Sequence, residues 1–540
     1  MSSSPTGQTV YEATYELLRK LKLTTIFGNP GSTEQPFLKN FPSDFTYVLG
    51  LQEASAVAMA DGFAQASGRP VLLNLHSSVG LGNAMGNIVT AFQNKTPLII
   101  TAGQQTRDML LGEPLLTNRD ETMLPRPWVK WSFQPARAQD VPAALMRAYA
   151  IASQPPAGPV FVSIPMDDWD QPALGDALLR MTSTRYAPDP DQLAVFADRI
   201  RHARKPALVL GQEVARSGGW DAAIRLAEQL QLPVFEAPLS ERAPFPQTHP
   251  QYHGPLPMAI GPLSQRLKGH DLLIVVGAPV FRYYPYVPGS YLPEGAALLH
   301  ITNDPADAAS AVVGDSLLSD ARLALEGLAA LLPHKHERSA PFAIPLPELP
   351  AQENSPVTAR EVFAALAAIR PDDAILLQET PSSYAELLRW WPIQAPDAYY
   401  TYASGGLGWN TPAAVGVALA ERHAGGKRPV VAVIGDGSLQ YSIQSLYSAV
   451  QHKLKIVYIV PCNAEYAILK RFAELEHTPN VPALDLPGLD PAASARGFGM
   501  RAVTPGTVAE IKAAFAEALA HDGPTMIAIP VKQELLPLVG

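Results

Sequence analysis

The feature that most constrains this chain is a set of short, unbroken apolar runs, each ending in glycine or a small polar residue. Leu272–Val276 and Val430–Ile434 are the clearest. A bilayer span needs about 20 apolar residues, so these runs are far too short to cross one. They read instead as strands buried on both faces, the habit of a parallel sheet covered by helices. The same grammar recurs along the chain. Thr9-Val10-Tyr11-Glu12 reads as a capping box, opening a helix whose Val10, Ala13, Leu17, Leu18 and Leu21 share one face. Strands are expected at Thr24–Phe27, Thr46–Leu51, Val71–Leu75 and Pro97–Thr101, with a helix from Glu53 to Ser67 stopped by Gly68. The middle stretch offers Ala207–Leu210 and Leu272–Val276. The last offers Ala374–Gln378, Ala398–Tyr402, Val430–Ile434 and Ile456–Val460, with Pro524–Ile529 closing the sheet. Proline-rich stretches near Tyr186–Pro190 and Pro333–Pro356 read as linkers. A chain of 540 residues suits about three domains at roughly 100–200 residues each. The expected architecture is three α/β domains with parallel sheets, spanning 1–182, 190–335 and 355–540.

Composition narrows the function classes. A net charge of −9 without a basic stripe argues against a nucleic-acid partner. The single cysteine, Cys462, permits no intrachain disulfide and fits a reducing compartment. The opening Met-Ser-Ser-Ser-Pro-Thr-Gly-Gln lacks a basic segment followed by an apolar one, so no signal peptide and no membrane partner are expected, and a cytoplasmic location is.

In open α/β sheets, ligands sit at the carboxyl ends of the strands. In the first domain those ends carry Asn29-Pro30-Gly31-Ser32, Gln52-Glu53 and His76-Ser77-Ser78. In the last they carry Gly405-Gly406-Leu407-Gly408, Gly435-Asp436-Gly437-Ser438 and Cys462-Asn463. Asp436 is a hard oxygen ligand of the kind Mg²⁺ prefers. Asn463 ends the next strand and can add a second oxygen. Ser438 can cap the following helix, whose N-terminus favours an anion such as phosphate. Gly-Asp-Gly alone is ordinary turn chemistry; the pairing of two strand ends is what raises it to a candidate site.

Gly435-Asp436-Gly437 with Asn463 27 positions on (463 − 436) resembles the cofactor motif of the thiamine-diphosphate-dependent 2-oxo acid decarboxylases, nearest to their benzoylformate-decarboxylating branch. The likeness covers nearly the whole chain. It is densest at Phe27–Ser32, Leu51–Ala54, Asn74–Ser77, Gly82–Gly86, Thr101–Arg107 and Gly277–Tyr283. The resemblance implies a pyrimidine-binding, a middle and a diphosphate-binding domain. It also implies thiamine diphosphate and Mg²⁺ as cofactors, a 2-oxo acid or aldehyde as partner, and a homotetramer with active sites at dimer interfaces. Asp436, Asn463 and the backbone carbonyl of Glu465 would hold the metal. Gly437, Ser438 and Tyr466 would join the cofactor site, Gly405 would meet the aminopyrimidine, and Leu407 would prop the cofactor in a bent shape. Glu53 from a neighbouring subunit would share a proton with the pyrimidine ring, favouring the tautomer that acts as base. Ser32 would bind the substrate carboxylate and His76 would shuttle protons. Taken singly, Glu53 reads as a helix-start acid, Ser32 as a cap and His76 as a core histidine; together on one sheet edge they read as catalytic.

The chain departs from that branch where the branch has a second histidine, here Tyr284. A phenol, with pKa near ~10, is a poorer proton relay at neutral pH than an imidazole. Slow protonation would favour carbon–carbon ligation. Thr401 and Ile468 alter the expected substrate pocket, while Leu115, Leu116, Leu469 and Phe472 keep it apolar. The expected activity is non-oxidative decarboxylation of an aromatic, benzoylformate-like 2-oxo acid. The alternative is a carboligase or lyase handling 2-hydroxy ketones, like acetolactate synthases or benzaldehyde lyases. A nicotinamide oxidoreductase is disfavoured: Gly80-Leu81-Gly82-Asn83-Ala84-Met85-Gly86 places its third glycine one residue late, and no acid ends the next strand. A catalytically silent cofactor-binding protein is disfavoured by the intact Glu53.

Overall fold

The computed structural model describes residues 7–120, 122–334, 342, 344–346, 348–350 and 353–538. Three six-stranded sheets follow one another, and every strand pair within them is parallel. The first holds β1 (Thr25–Asn29), β2 (Thr46–Leu49), β3 (Val71–Leu75), β4 (Leu98–Gln104), β5 (Ser132–Phe133) and β6 (Val160–Pro165), in the order β2-β1-β3-β4-β6-β5. The middle sheet holds β7 (Pro206–Leu210), β8 (Val234–Glu236), β9 (Tyr252–Pro255), β10 (Leu272–Val276), β11 (Ala297–Thr302) and β12 (Asp315–Leu318), in the order β12-β11-β10-β7-β8-β9. The last holds β13 (Ile375–Glu379), β14 (Tyr399–Tyr400), β15 (Val430–Ile434), β16 (Ile456–Cys462), β17 (Arg501–Val503) and β18 (Thr525–Pro530), in the order β14-β13-β15-β16-β18-β17.

Local chemistry explains why the elements start and stop where they do. The Thr9–Glu12 capping box forms, and Val10, Ala13, Leu17 and Leu18 of its helix are buried. Gly68 ends the helix Glu53–Ser67 at φ 67°, a left-handed conformation that costs glycine little. β10 and β15 are wholly buried, as unbroken apolar strands covered on both faces must be. Two expectations fail at sheet edges. The strand after Thr46 stops at Leu49, and Pro524–Ile529 does not close the last sheet, because the three-residue β17 pairs outside β18. The linker expected over Pro333–Pro356 lies partly outside the described residues, as does the N-terminal stretch 1–6. Within it, Phe342 stacks on His253 at 4.5 Å between ring centroids.

The first and last domains share one core. Helix Glu53–Ser67 crosses helix Asn410–His423 so closely that a Cβ on Gly62 would lie 2.3 Å from the Ala413 carbonyl oxygen, and one on Gly416 would lie 2.0 Å from the Met59 carbonyl oxygen. Only glycine admits that backbone contact, and it welds the two outer sheets together. Among the described residues no helix is long and apolar enough to cross a membrane.

Candidate active site

The first sheet brings its candidate residues to one edge because β2, β1 and β3 are neighbours. Glu53 opens the helix after β2 and is 8% exposed. Asn29, which ends β1, donates from Nδ2 to Glu53 Oε1 at 3.2 Å, and Asn83 donates to Oε2 at 3.1 Å. His76 is the N-cap of helix Ser77–Gln93 after β3. Its Nδ1 lies 2.8 Å from Glu34 Oε2 and 3.2 Å from Thr33 Oγ1.

Glu34 has no place among the sequence expectations, yet it organises this edge. Its buried carboxylate also accepts from Gly31 N at 2.9 Å, Gly103 N at 2.8 Å and Thr33 Oγ1 at 2.8 Å. A carboxylate only accepts, so His76 Nδ1 carries the proton there and Nε2 is left available for relay. A Cβ on Gly31 would fall 2.0 Å from His76 Nδ1, so the ring packs directly against that backbone. Gly80 sits beside both catalytic candidates: its Cβ would lie 3.1 Å from Glu53 Oε1 and 3.3 Å from His76 Cβ. Ser32 is exposed on the turn and caps nothing; the short helix Gln35–Leu38 has Glu34 as its N-cap.

The last sheet builds a second half-site from β13, β15 and β16. Asp436, 3% exposed, accepts from Gly437 N and from Ala464 N, each at 2.8 Å. The second bond ties the turn after β15 to the end of β16, where Asn463 stands. Burial pushes the Asp436 carboxyl above the ordinary carboxylate range, against the pull of those N–H groups. A buried carboxylate beside an amide oxygen suits a hard divalent cation. Among the described residues no group of three His, Cys, Asp or Glu side chains gathers, so a metal here would rest on Asp436, the Asn463 amide, backbone carbonyls and its own ligand. The Glu465 carboxylate is engaged by Lys470, which also bonds Asp485 at 2.6 Å.

These residues border a cleft of ≈ 690 Å³, counting its solvent-open part, with Leu407, Gly437, Ser438, Tyr466 and Ile468 on its walls. Thr380, Ser382, Lys532 and Leu536 also line it and were missed, since nothing in their local sequence marks them. Ser438 does not cap a helix: the one-turn helix Asp436–Leu439 starts earlier, with Gly435 as N-cap. Gly405 is exposed at φ 73° on the turn before helix Asn410–His423.

The apolar wall is assembled in part. Tyr284, from the middle domain, packs on Phe472 at 4.8 Å between centroids, and Leu469 of the same helix is half-exposed. Leu115 and Leu116 lie on a loop of the first domain, Leu115 almost fully exposed. Thr401 is buried, and its hydroxyl bonds Gln378 instead, donating to the carbonyl at 2.8 Å and accepting from Nε2 at 3.1 Å. None of Ser32, Glu53 and His76 lines the cleft of the last sheet. The candidates of the two sheets thus do not border one common cleft. The glycine-rich stretch Gly80–Gly86 lies inside helix Ser77–Gln93, not in a strand-to-helix turn, which removes the dinucleotide reading.

Comparison with known proteins gives one consistent picture. Residues 8–123, 193–328 and 382–529 match the N-terminal TPP-binding, central and C-terminal TPP-binding domains of the thiamine pyrophosphate enzyme family. The chain is 46% identical to a benzoylformate decarboxylase of Pseudomonas aeruginosa, over 97% of this chain and 99% of that one. It is similar to the crystal structure of benzoylformate decarboxylase from Polynucleobacter necessarius, with TM-score 0.97, 51% identity, and 98% and 100% of the two chains covered. It also resembles a thiamine diphosphate-dependent 4-hydroxybenzoylformate decarboxylase of Rhodococcus jostii RHA1, with TM-score 0.94, 41% identity, and 98% and 100% covered.

Proposed function

The chain belongs to the thiamine pyrophosphate enzyme family, and from that premise we propose that it removes CO₂ non-oxidatively from an aromatic 2-oxo acid of the benzoylformate type and releases the aldehyde. The observation that carries this reading is the pair of half-sites: Glu53 and His76 on one sheet edge, Asp436 and Asn463 on another, each supported by partly buried hydrogen bonds. Thiamine diphosphate, when bound, supplies the electron sink that carbon–carbon cleavage needs.

The chain's own residues do the rest. Asp436, Asn463 and the Glu465 carbonyl hold Mg²⁺, while Gly437, Ser438 and Tyr466 flank the diphosphate. Leu407 and Gly405 orient the pyrimidine. Glu53, fixed by Asn29 and Asn83, holds a proton at the pyrimidine nitrogen. His76 moves protons at Nε2 because Glu34 fixes Nδ1. Ser32 donates to the substrate carboxylate, and Leu115, Leu116, Ile468, Leu469, Phe472 and Tyr284 enclose the ring and exclude water. Because the half-sites of one chain are separate, the working site joins two subunits, within a homotetramer acting in the cytoplasm.

A second reading, carboligation, is favoured by Tyr284: its ring packs on Phe472 where a proton relay would otherwise stand. One experiment separates the two. Protein stripped of cofactor and reconstituted with thiamine diphosphate and Mg²⁺ is given benzoylformate. Cofactor-dependent benzaldehyde is expected. A 2-hydroxy ketone as sole product moves the assignment to ligation, and no product from a cofactor-loaded enzyme overturns the aromatic assignment.

A further inference from the structure

Glu379 is wholly buried at the end of β13, between β14 and β15. Among the described residues no lysine, arginine or histidine is bonded to it. Its Oε1 accepts from Gly408 N at 2.6 Å, and its Oε2 accepts from Trp409 N at 3.0 Å and Asn410 N at 2.8 Å. These are the first amides of the 14-residue helix Asn410–His423 and of the turn leading into it. Burial pushes the Glu379 carboxyl up from 4.5 to about 7, the three N–H groups at the positive end of that helix pulling the other way. On the other side, the Glu379 backbone carbonyl accepts from Gly435 N at 3.1 Å. One residue therefore grips two segments. Gly408 is the next residue but two after Gly405 and adjoins Leu407; Gly435 adjoins Asp436. The turn assigned to the pyrimidine and the turn assigned to the metal ligand meet at Glu379.

We propose that Glu379 is a positioning residue for the cofactor, its side chain and backbone locking the Gly405–Leu407 turn to the Gly435–Asp436 turn at a fixed spacing. This rests on the cofactor assignment above. Glu379 touches neither reacting atom; it acts through the backbone on both sides. The chemistry of the contact is specific. Three N–H donors converge on two acceptor oxygens, and an amide in place of the carboxylate must turn one NH₂ group toward them. The isosteric Glu379→Gln change thus removes acceptor capacity without changing volume.

The test compares wild type and Glu379→Gln as full chains, first without cofactor. Amide hydrogen exchange at 408–410 is expected to rise by roughly tenfold or more in the variant, the cost of a lost hydrogen bond. Thiamine diphosphate affinity in the presence of Mg²⁺, read by fluorescence titration, is expected to weaken by about the same factor. At saturating cofactor, kcat should stay low while KM for the 2-oxo acid is unchanged, and the near-ultraviolet circular dichroism of the bound cofactor should differ from that of wild type. A folded variant with wild-type exchange and wild-type cofactor affinity sinks the inference and leaves the proposed function standing. Should the variant fail to fold, wild type alone decides. Amides 408–410 and 435 must gain protection together as thiamine diphosphate is added; protection of one segment without the other overturns the lock. Wild type that binds no thiamine diphosphate overturns the functional assignment itself.

Discussion

The carboxyl edge of the middle sheet and those of the two outer sheets follow the same order of strand, turn and helix, yet they are filled differently. On the outer edges, Glu53, His76, Asp436 and Asn463 stand at strand ends beside exposed turns or a cleft. On the middle edge, Lys95 reaches across from the first domain into the turns after β7 and β11. Its Nζ lies 2.9 Å from Glu213, 2.9 Å from Asp304 and 2.6 Å from Asp307. The backbone there is closed too: a Cβ on Gly211 would fall 2.3 Å from that of Ala278. The place where an open α/β sheet would receive a ligand is occupied by an ion cluster that joins two domains. The same architecture thus presents the candidate site residues at two edges and an inter-domain ion cluster at the third.

If that division is right, charge-removing changes should dissociate. Glu53→Gln should lower kcat by about 10²–10⁴-fold, the range for losing a general acid–base group, with cofactor affinity and the unfolding midpoint near wild type. Steady-state kinetics beside a thermal melt tests both halves, and an unchanged kcat would remove Glu53 from the mechanism. Lys95→Met should do the reverse. Burial alone pulls the Lys95 ammonium down, but Glu213, Asp307 and Asp304 hold it well above the ordinary lysine range. Removing it strands three largely buried carboxylates, at a cost of about 3–5 kcal/mol. The melting temperature should drop while kcat per folded, cofactor-loaded enzyme holds. A loss of kcat with unchanged stability would break the comparison.

The contrast also explains what could be read in advance. β3, β10, β15 and helix Glu53–Ser67 stand where apolar runs and Gly68 place them, because their determinants are local. Strand-end positions of Glu53, His76, Asp436 and Asn463 follow from the same local pattern. Glu34 and Glu379 were invisible because the bonds that tie each to a separate part of the fold include backbone N–H groups distant in sequence, Gly103 for one and Gly408–Asn410 for the other, and any residue type can supply an amide. The two-residue β14 and three-residue β17 carry too few residues for a period to register. The lysine that plugs the middle edge is likewise unmarked, since it arrives from another domain.

Within the middle domain the buried Glu236 lies apart from the cluster, and it sharpens the contrast at the smallest scale. Glu236 ends β8, is 5% exposed, and among the described residues has only neutral side-chain partners: Tyr252 donates its hydroxyl at 2.8 Å and Gln247 its Nε2 at 3.0 Å. Burial pushes its carboxyl up from 4.5 to about 7, those two bonds pulling the other way. A folded-state value above the unfolded one means that the protonated form is the one the fold prefers. Its contribution is therefore fully present below about pH 4.5 and is lost as the pH rises through about 7. A rise from 4.5 to about 7 is equivalent to about 3 kcal/mol. Glutamine can accept both bonds and never ionises. Glu236→Gln should therefore match wild type in acid and exceed it by up to about 3 kcal/mol above pH 7. Urea midpoints taken across pH 5 to 8 read the gap directly. A gap that is constant with pH would mean that Glu236 keeps its proton, or its charge, throughout, and that the middle domain tolerates a lone buried acid where its edge demands a paired one.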